Sequence, residues 1–95
     1  MYAFKNCNGL ANITIPESVK GVGMYAFENC SGLISVTISN SVTSVGDYAF
    51  NGCKNLTSIE FNGTIEQWNA MSKGAKWDYN TGNYTIHCTD GDIEK

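Results

Sequence analysis

The chain has 95 residues, of which 42 % are hydrophobic and 16 % charged, and its formal net charge is −3. Its six basic residues are all lysines, which is far from the dense basic surface that binds nucleic acids or anionic membranes. No apolar run reaches the about 18–20 residues that span a bilayer. We therefore predict a single globular domain with no nucleic-acid partner and no membrane insertion.

A skeleton of 23 residues recurs from Tyr2 onward, and residues 2–24 and 25–47 are identical at 13 of the 23 positions. Residues 48–70 keep the apolar positions of that skeleton. The recurring columns are Tyr2/Tyr25/Tyr48, Phe4/Phe27/Phe50, Leu10/Leu33/Leu56, Ile13/Val36/Ile59, Ile15/Ile38/Phe61, Val19/Val42/Ile65 and Val22/Val45/Trp68. A fixed period of this length is typical of a solenoid, in which each turn buries its apolar side against its neighbours.

Each repeat predicts the same short elements in the same order. Around Val36 and Ile38 the apolar residues alternate, which predicts a strand with these two side chains inward and Thr37 outward. Stacked repeats would make these strands a parallel sheet. Residues 41–46 predict a second short extended segment on the opposite side, and residues 47–52 predict a single turn of 3₁₀ type.

The period fades after Ile65, where the sequence predicts a short helix followed by a strand. Thr64 is suited to the N-cap with Gln67 three residues on, and Gly74 is suited to the C-terminal stop. Residues 84–88 alternate like a strand. If Ile86 takes the register of Ile59, His87 lies beside Glu60.

These features divide the chain into repeats over residues 1–66 (2–24, 25–47 and 48–66) and a C-terminal capping segment over residues 67–95. A solenoid needs such a cap, because its last repeat would otherwise expose core and a sheet edge. The start at Met1 has no signal peptide and enters directly into a repeat, which we interpret as an artificial start or an internal cut. The strand near Leu10 to Ile15 is then an open edge, covered by absent repeats or by another chain, so self-association through it is one prediction.

The four cysteines have two interpretations. In a secreted chain of this size they would suggest disulfides, but Cys7, Cys30 and Cys53 share one position of the period. Side chains in such a column point the same way, whereas zinc needs four converging ligands. We therefore predict buried free thiols, while Cys88 lies outside the period.

Other candidate sites are weak, and we predict no catalytic residue, no metal and no cofactor. His87 is the only histidine, and Glu60 is its one arguable partner, so a surface contact is favoured over catalysis. Residues 90–92 resemble part of a calcium loop but lack its remaining ligands, which favours a solvated acidic tail. The recurring tyrosines favour packing over a stacking surface for sugars.

The pattern C-x-x-L-x-x-I-x-I-P-x-S-V-x-x-V-G-x-x-Y-A-F, which runs from Cys7 to Phe27, resembles the BspA-like (Treponema pallidum type) leucine-rich repeat family. The resemblance implies a leucine-rich repeat solenoid, a right-handed β/α-type superhelix of mostly short parallel strands and turns, with about three repeats and a cap. The asparagine position of ordinary leucine-rich repeats holds Ser18, Ser41 and Thr64 here. No asparagine ladder is therefore expected, and the cysteine and Ser/Thr columns are predicted to carry the internal hydrogen bonds.

The resemblance also implies a function. BspA-like proteins are surface adhesins, so we expect a non-catalytic protein-interaction or adhesion module of a bacterial cell-surface or secreted protein, with a host matrix or surface protein as ligand. The expected binding residues point outward from the strands on the concave face: Asn12, Thr14, Ser35, Thr37, Ser58, Glu60, Thr85 and His87. The alternative is a structural spacer or terminal cap of a larger repeat protein with no ligand of its own.

Overall fold

The computed structural model describes residues 11–94. Its strands are β1 (Asn12–Ile15), β2 (Gly21–Val22), β3 (Ser35–Ser39), β4 (Ser44–Val45), β5 (Ser58–Asn62), β6 (Ser72–Lys73), β7 (Thr85–Cys88) and β8 (Gly91–Glu94), and its helix is α1 (Ile65–Ala70). The main sheet has the order β1-β3-β5-β7-β8, and a second sheet has the order β2-β4-β6. The predicted solenoid of short parallel strands is confirmed.

The main sheet follows directly from the period of the sequence. Strands β1, β3, β5 and β7 pair in parallel with equivalent residues side by side, so that Ile13, Val36, Ile59 and Ile86 form one column. Val36 and Ile59 are fully buried, whereas Thr37 between two buried neighbours points outward. Alternation along each strand thus separates a core side from a polar side.

The second sheet lies across the core from the first, as predicted. Val22 and Val45 are buried and pair in register, and Lys73 continues their row in β6. The core between the sheets is filled by the recurring apolar columns, whose largest fully buried members include Phe50, Phe61, Leu33 and Leu56.

The segment after each short strand of the second sheet is a run of turns, and the 3₁₀ prediction for residues 47–52 is wrong. Alternate amides bond within the run, as from Asn51 N–H to the Tyr48 carbonyl at 3.1 Å. The intervening amides instead bond to the next repeat, as from Phe50 N–H to the Trp77 carbonyl at 2.7 Å. Tyr48 also has a left-handed φ of 57°. A 3₁₀-helix would send every amide back along its own chain.

Helix α1 begins as predicted but ends earlier. The Thr64 side chain accepts from Gln67 N–H, and the Gln67 side chain accepts from Thr64 N–H, which completes a capping box. The helix ends at Ala70 rather than at Gly74, because residues 72–73 leave it to pair with β4. The Lys73 ammonium caps it by donating to the Trp68 carbonyl at 2.6 Å, and burial lowers the pKa of that ammonium.

Gly74 has a different role from the predicted helix stop. Its N–H donates to the Val45 carbonyl at 2.7 Å, and a Cβ here would collide with Asp47. Gly46 makes the equivalent bond to Val22 one repeat earlier. Gly74 is therefore the equivalent of Gly46, at a close approach of two backbones.

Residues beyond 66 continue the solenoid for a further turn while closing it. Equivalent backbone hydrogen bonds between repeats join Tyr25 to Asp47, which are 22 residues apart in sequence, and Tyr48 to Ala75, which are 27 apart. The separation increases because α1 is inserted into the last repeat. Trp77 contacts the rings of Phe50, Trp68 and Tyr84 at centroid distances of 6.1, 5.9 and 6.0 Å. The placement of a cap boundary after residue 66 stays a prediction.

Asp90 and Asp92 are exposed to solvent, as predicted, but the prediction that residues 90–92 form a tail is wrong. Residues 88–91 turn the chain back, and β8 pairs antiparallel with β7, with His87 opposite Asp92. The Asp90 carboxylate accepts the Ile65 N–H at 2.9 Å at the start of α1. A negative charge is favourable there, because the free N–H groups of a helix start are electropositive. Strand β8 thus covers the edge of β7 that faces away from β5, and β7 would otherwise be the last strand of the main sheet.

Candidate functional site: the polar sheet face

The eight outward residues predicted from the sequence form two rows across the main sheet. One row is Asn12, Ser35, Ser58 and Thr85, and the other is Thr14, Thr37, Glu60 and His87. In each row neighbouring residues are directly paired. We call these two rows the polar sheet face. Whether this face binds a ligand stays a prediction.

Strand β8 extends both rows in a way that the sequence analysis missed. Glu94 stands opposite Thr85, and Asp92 stands opposite His87. The alternation of Asp92 and Glu94 around Ile93 was the available signal. A strand of only four residues, the first of which is a glycine, gives that signal little weight.

A chain of polar contacts connects the last strands of the face. The Ser58 hydroxyl donates to the Glu60 carboxylate at 2.7 Å, and the His87 Nδ1 lies 3.0 Å from the Asp92 carboxylate. Since a carboxylate only accepts, the contact to Asp92 places a proton on Nδ1. The His87 Nε2 is 3.9 Å from the Glu60 carboxylate, so the predicted register of His87 beside Glu60 is confirmed.

These contacts do not have the order that nucleophilic catalysis requires. A nucleophilic serine donates to a base, which a third group orients, but Ser58 donates to Glu60 and not to His87. The side chains of His87 and Glu60 are also 41 % and 47 % exposed. These side chains can offer hydrogen bonds and a local negative charge to a ligand at the surface.

Charge is unevenly distributed over the polar sheet face. The strands β1 and β3 contribute only hydroxyl and amide side chains, whereas β5 and β8 contribute Glu60, Asp92 and Glu94. None of the lysines of the described residues lies on either row. A ligand of this face would therefore meet neutral donors and acceptors at one side and carboxylates at the other.

The two tyrosines of the column that the structure describes are packed, and Tyr2 lies outside the described residues. The rings of Tyr25 and Tyr48 stack at 5.2 Å with only 2° between their planes, and those of Phe27 and Phe50 stack at 5.0 Å. Tyr25 and Tyr48 are half-buried, and each covers a face of the other. The packing interpretation is favoured over a stacking surface for sugars.

The internal hydrogen bonds use the columns that the sequence indicated. The Ser41 hydroxyl donates to the Val19 carbonyl at 3.0 Å, and the Cys53 thiol donates to the Phe27 carbonyl at 3.1 Å. Cys30 and Cys53 are buried free thiols, as predicted, and Cys88 is free and half-buried. Cys7 lies outside the described residues. No group of three or more His, Cys, Asp or Glu side chains within residues 11–94 is arranged to hold a metal ion.

We expect the buried thiols to resist alkylation in the folded protein. Burial first, and then the neighbouring Cys30, raises the pKa of the Cys53 thiol from 9.0 to about 12, and only the thiolate is nucleophilic. Burial, Asp90 and Asp92 raise the pKa of Cys88 as well, but its thiol is only half-buried. With iodoacetamide at pH 8, Cys88 should therefore be modified slowly in the native state, and Cys30 and Cys53 only in urea, as read by peptide mass mapping. Modification of Cys53 at the rate of Cys88 in the native state would contradict this.

The raised pKa of Cys53 also makes the free energy of unfolding depend on pH. Because the pKa of Cys53 is higher in the folded state, its contribution to stability is complete below pH 9 and is lost as pH rises toward about 12. Burial and the hydrogen bond to Asp78 also raise the pKa of Tyr84, which acts in the same direction. The free energy of unfolding should therefore fall in alkaline solution.

The geometry defines a class of protein: a parallel solenoid with apolar columns inside and short polar strands outside. A model of the family described as the BspA type leucine-rich repeat region (6 copies) matches residues 1–73. The chain belongs to this family. No curated protein and no solved structure matches it. No helix within the described residues is long and apolar enough to cross a membrane.

Proposed function

We propose that this chain is a non-catalytic interaction or adhesion module of a bacterial cell-surface or secreted protein and that it binds a host matrix or surface protein. The observation that supports this most directly is the register of the polar sheet face. Side chains from five paired strands stand in two rows, with Thr37 and Glu60 near the middle. Solenoids of leucine-rich repeats commonly bind proteins through such extended surfaces.

The size of the face limits its affinity. Five strands about 4.8 Å apart span about 20 Å, and a stable protein complex buries about 800 Å² per partner. A partner must therefore also contact the loops that border the rows. The small neutral side chains suit binding by hydrogen bonds and shape, and the carboxylates near His87 favour a basic group at that side of the ligand.

The test is a matched pair of threonine variants. Thr37→Arg places a bulky charge in the middle of the polar sheet face, whereas Thr43→Arg places it at an exposed site outside the two rows. Binding to immobilised fibronectin, laminin and collagen is measured by biolayer interferometry. We expect Thr37→Arg to weaken binding by about tenfold or more, or about 1.4 kcal/mol, with both melting temperatures unchanged.

Each result has a defined meaning. If both variants lost the same amount of binding affinity, the ligand would not be bound through the polar sheet face. If the unchanged chain bound none of the three matrix proteins, the adhesion proposal would be overturned, and the spacer interpretation would replace it. Glu60→Gln separates charge from shape, because it keeps the size of the side chain while removing a carboxylate.

A further inference from the structure

The turn segments of the repeats form a third backbone ladder, which we call the turn ladder and define by residues 25–29, 48–52 and 76–80. In its first segment, Tyr25, Phe27 and Asn29 donate their N–H groups to the carbonyls of the next repeat at 3.0, 2.7 and 2.6 Å. In its second segment, Tyr48, Phe50 and Gly52 do the same at 3.1, 2.7 and 3.0 Å. Every second amide is thus an obligatory donor to the following repeat.

The third segment holds the equivalent donors without acceptors. The N–H groups of Lys76, Asp78 and Asn80 have no hydrogen-bond acceptor among residues 11–94. Lys76 and Asn80 also repeat the left-handed backbone of the earlier segments, with φ of 51° and 58°. The conformation of the ladder therefore continues through its last segment, and only its acceptors are missing. Lys76 and Asn80 are exposed and Asp78 is half-buried.

The C-terminal hairpin leaves this edge open. Strand β8 pairs with β7 at the end of the main sheet, but no described residue does this for the turn ladder. An edge with unpaired main-chain donors is a template for another chain. Domains that bind peptides by strand addition use such edges, with main-chain hydrogen bonds providing affinity.

The geometry points to the kind of partner. We propose that residues 76–80 dock a peptide segment of a partner protein that carries a carboxylate and takes the turn conformation of residues 47–52. Donors on alternate residues require acceptors on alternate residues, which a polypeptide carbonyl row provides. The Lys76 ammonium lies 5.1 Å from the centroid of the Tyr79 ring, and Tyr79 is 54 % exposed. The Asp78 carboxylate of the same segment is half-buried and accepts the Tyr84 hydroxyl. The exposed side chains of this edge therefore offer a positive charge and an aromatic surface in a chain whose net charge is −3.

The chain itself contains the natural probe. Residues 46–52 pair with the preceding segment of the ladder through the carbonyls of Asp47, Ala49 and Asn51. A synthetic peptide of residues 46–52 therefore carries the required carbonyl row, and in this register its aspartate falls next to Lys76. A scrambled peptide of the same composition is the control.

The experiment is an amide NMR titration of the full chain with this peptide at millimolar concentration. We expect shifts and slower hydrogen exchange at the amides of Lys76, Asp78 and Asn80, and none with the scrambled peptide. Lys76→Glu should raise the dissociation constant about two- to fivefold, the range of one exposed ion pair. The matched variant Lys20→Glu, which changes an exposed lysine outside the turn ladder, should leave it unchanged.

Two results would overturn the proposal. The first is a hydrogen-exchange pattern in the free protein opposite to the expected one. Either the amides of Tyr48, Phe50 and Gly52 would exchange fast, or those of Lys76, Asp78 and Asn80 would exchange slowly. The second is an absence of peptide-induced shifts at the amides of Lys76, Asp78 and Asn80, including the case in which shifts occur only at Thr37 and His87. The latter would indicate binding at the polar sheet face instead. This edge and the polar sheet face are thereby tested separately.

Discussion

Replacing Phe50 by alanine is expected to remove about 3–5 kcal/mol from the free energy of unfolding. Phe50 is fully buried, stacks on Phe27 at a centroid distance of 5.0 Å and makes a T-shaped contact with Trp77 at 6.1 Å. It therefore connects two repeats with the C-terminal aromatic cluster. Since domains of this size are stable by about 5–15 kcal/mol, much of the variant could be unfolded at room temperature.

The measurement is urea unfolding followed by circular dichroism. Ile34→Ala is the control, because Ile34 is 47 % exposed and should cost at most about 0.5 kcal/mol. Phe50→Leu fills more of the site and should lie between the two. A loss below about 1 kcal/mol for Phe50→Ala, the ordinary effect of a substitution, would show that Phe27 and Trp77 close the gap.

A methyl group at Gly46 is expected to cost about 2–3 kcal/mol, which is typical of overpacking. Its Cβ would lie 2.6 Å from the Met24 nitrogen and 2.8 Å from the Gly23 carbonyl carbon. These are backbone atoms and cannot rotate away. The Gly46 N–H also donates to the Val22 carbonyl at 2.7 Å, so the two repeats could separate only by straining that bond.

Gly21→Ala is the matched control for Gly46→Ala. There the nearest atom is the Ser44 hydroxyl oxygen at 2.7 Å, and the nearest backbone atom is at 3.7 Å. A hydroxyl can rotate to another staggered position, so the expected cost is below about 1 kcal/mol. Equal losses in thermal or urea unfolding would show that the backbones of the two repeats move apart without cost.

The repeated part of the structure was predictable because its residues reinforce one another. Each apolar column occurs several times in phase, so the inward position of Val36 and the outward position of Thr37 follow from one register. Extending that register to Ile86 also placed His87 beside Glu60. The capping box at Thr64 was equally readable, since it depends on two side chains three residues apart.

The end of the solenoid could not be read in this way. The insertion of α1 changes the spacing, so Trp77 and Asp78 enter the last repeat where alanine and phenylalanine stood in earlier ones. Asp78 then accepts a hydrogen bond from the Tyr84 hydroxyl at 2.5 Å. The repeat pattern does not predict that a polar contact of Asp78 replaces the apolar contacts of Phe27 and Phe50 at this position.

By itself, the sequence determined the solenoid, the sides of its strands and the column of buried thiols, because a repeated pattern needs only one consistent register. Tertiary structure alone decided where α1 ends, how residues 91–94 fold back and which amides of the turn ladder lack acceptors. These outcomes depend on pairing between distant backbones, such as that of β6 with β4. Backbone donors and acceptors are the same in every residue but proline, so their partners leave no mark in the sequence.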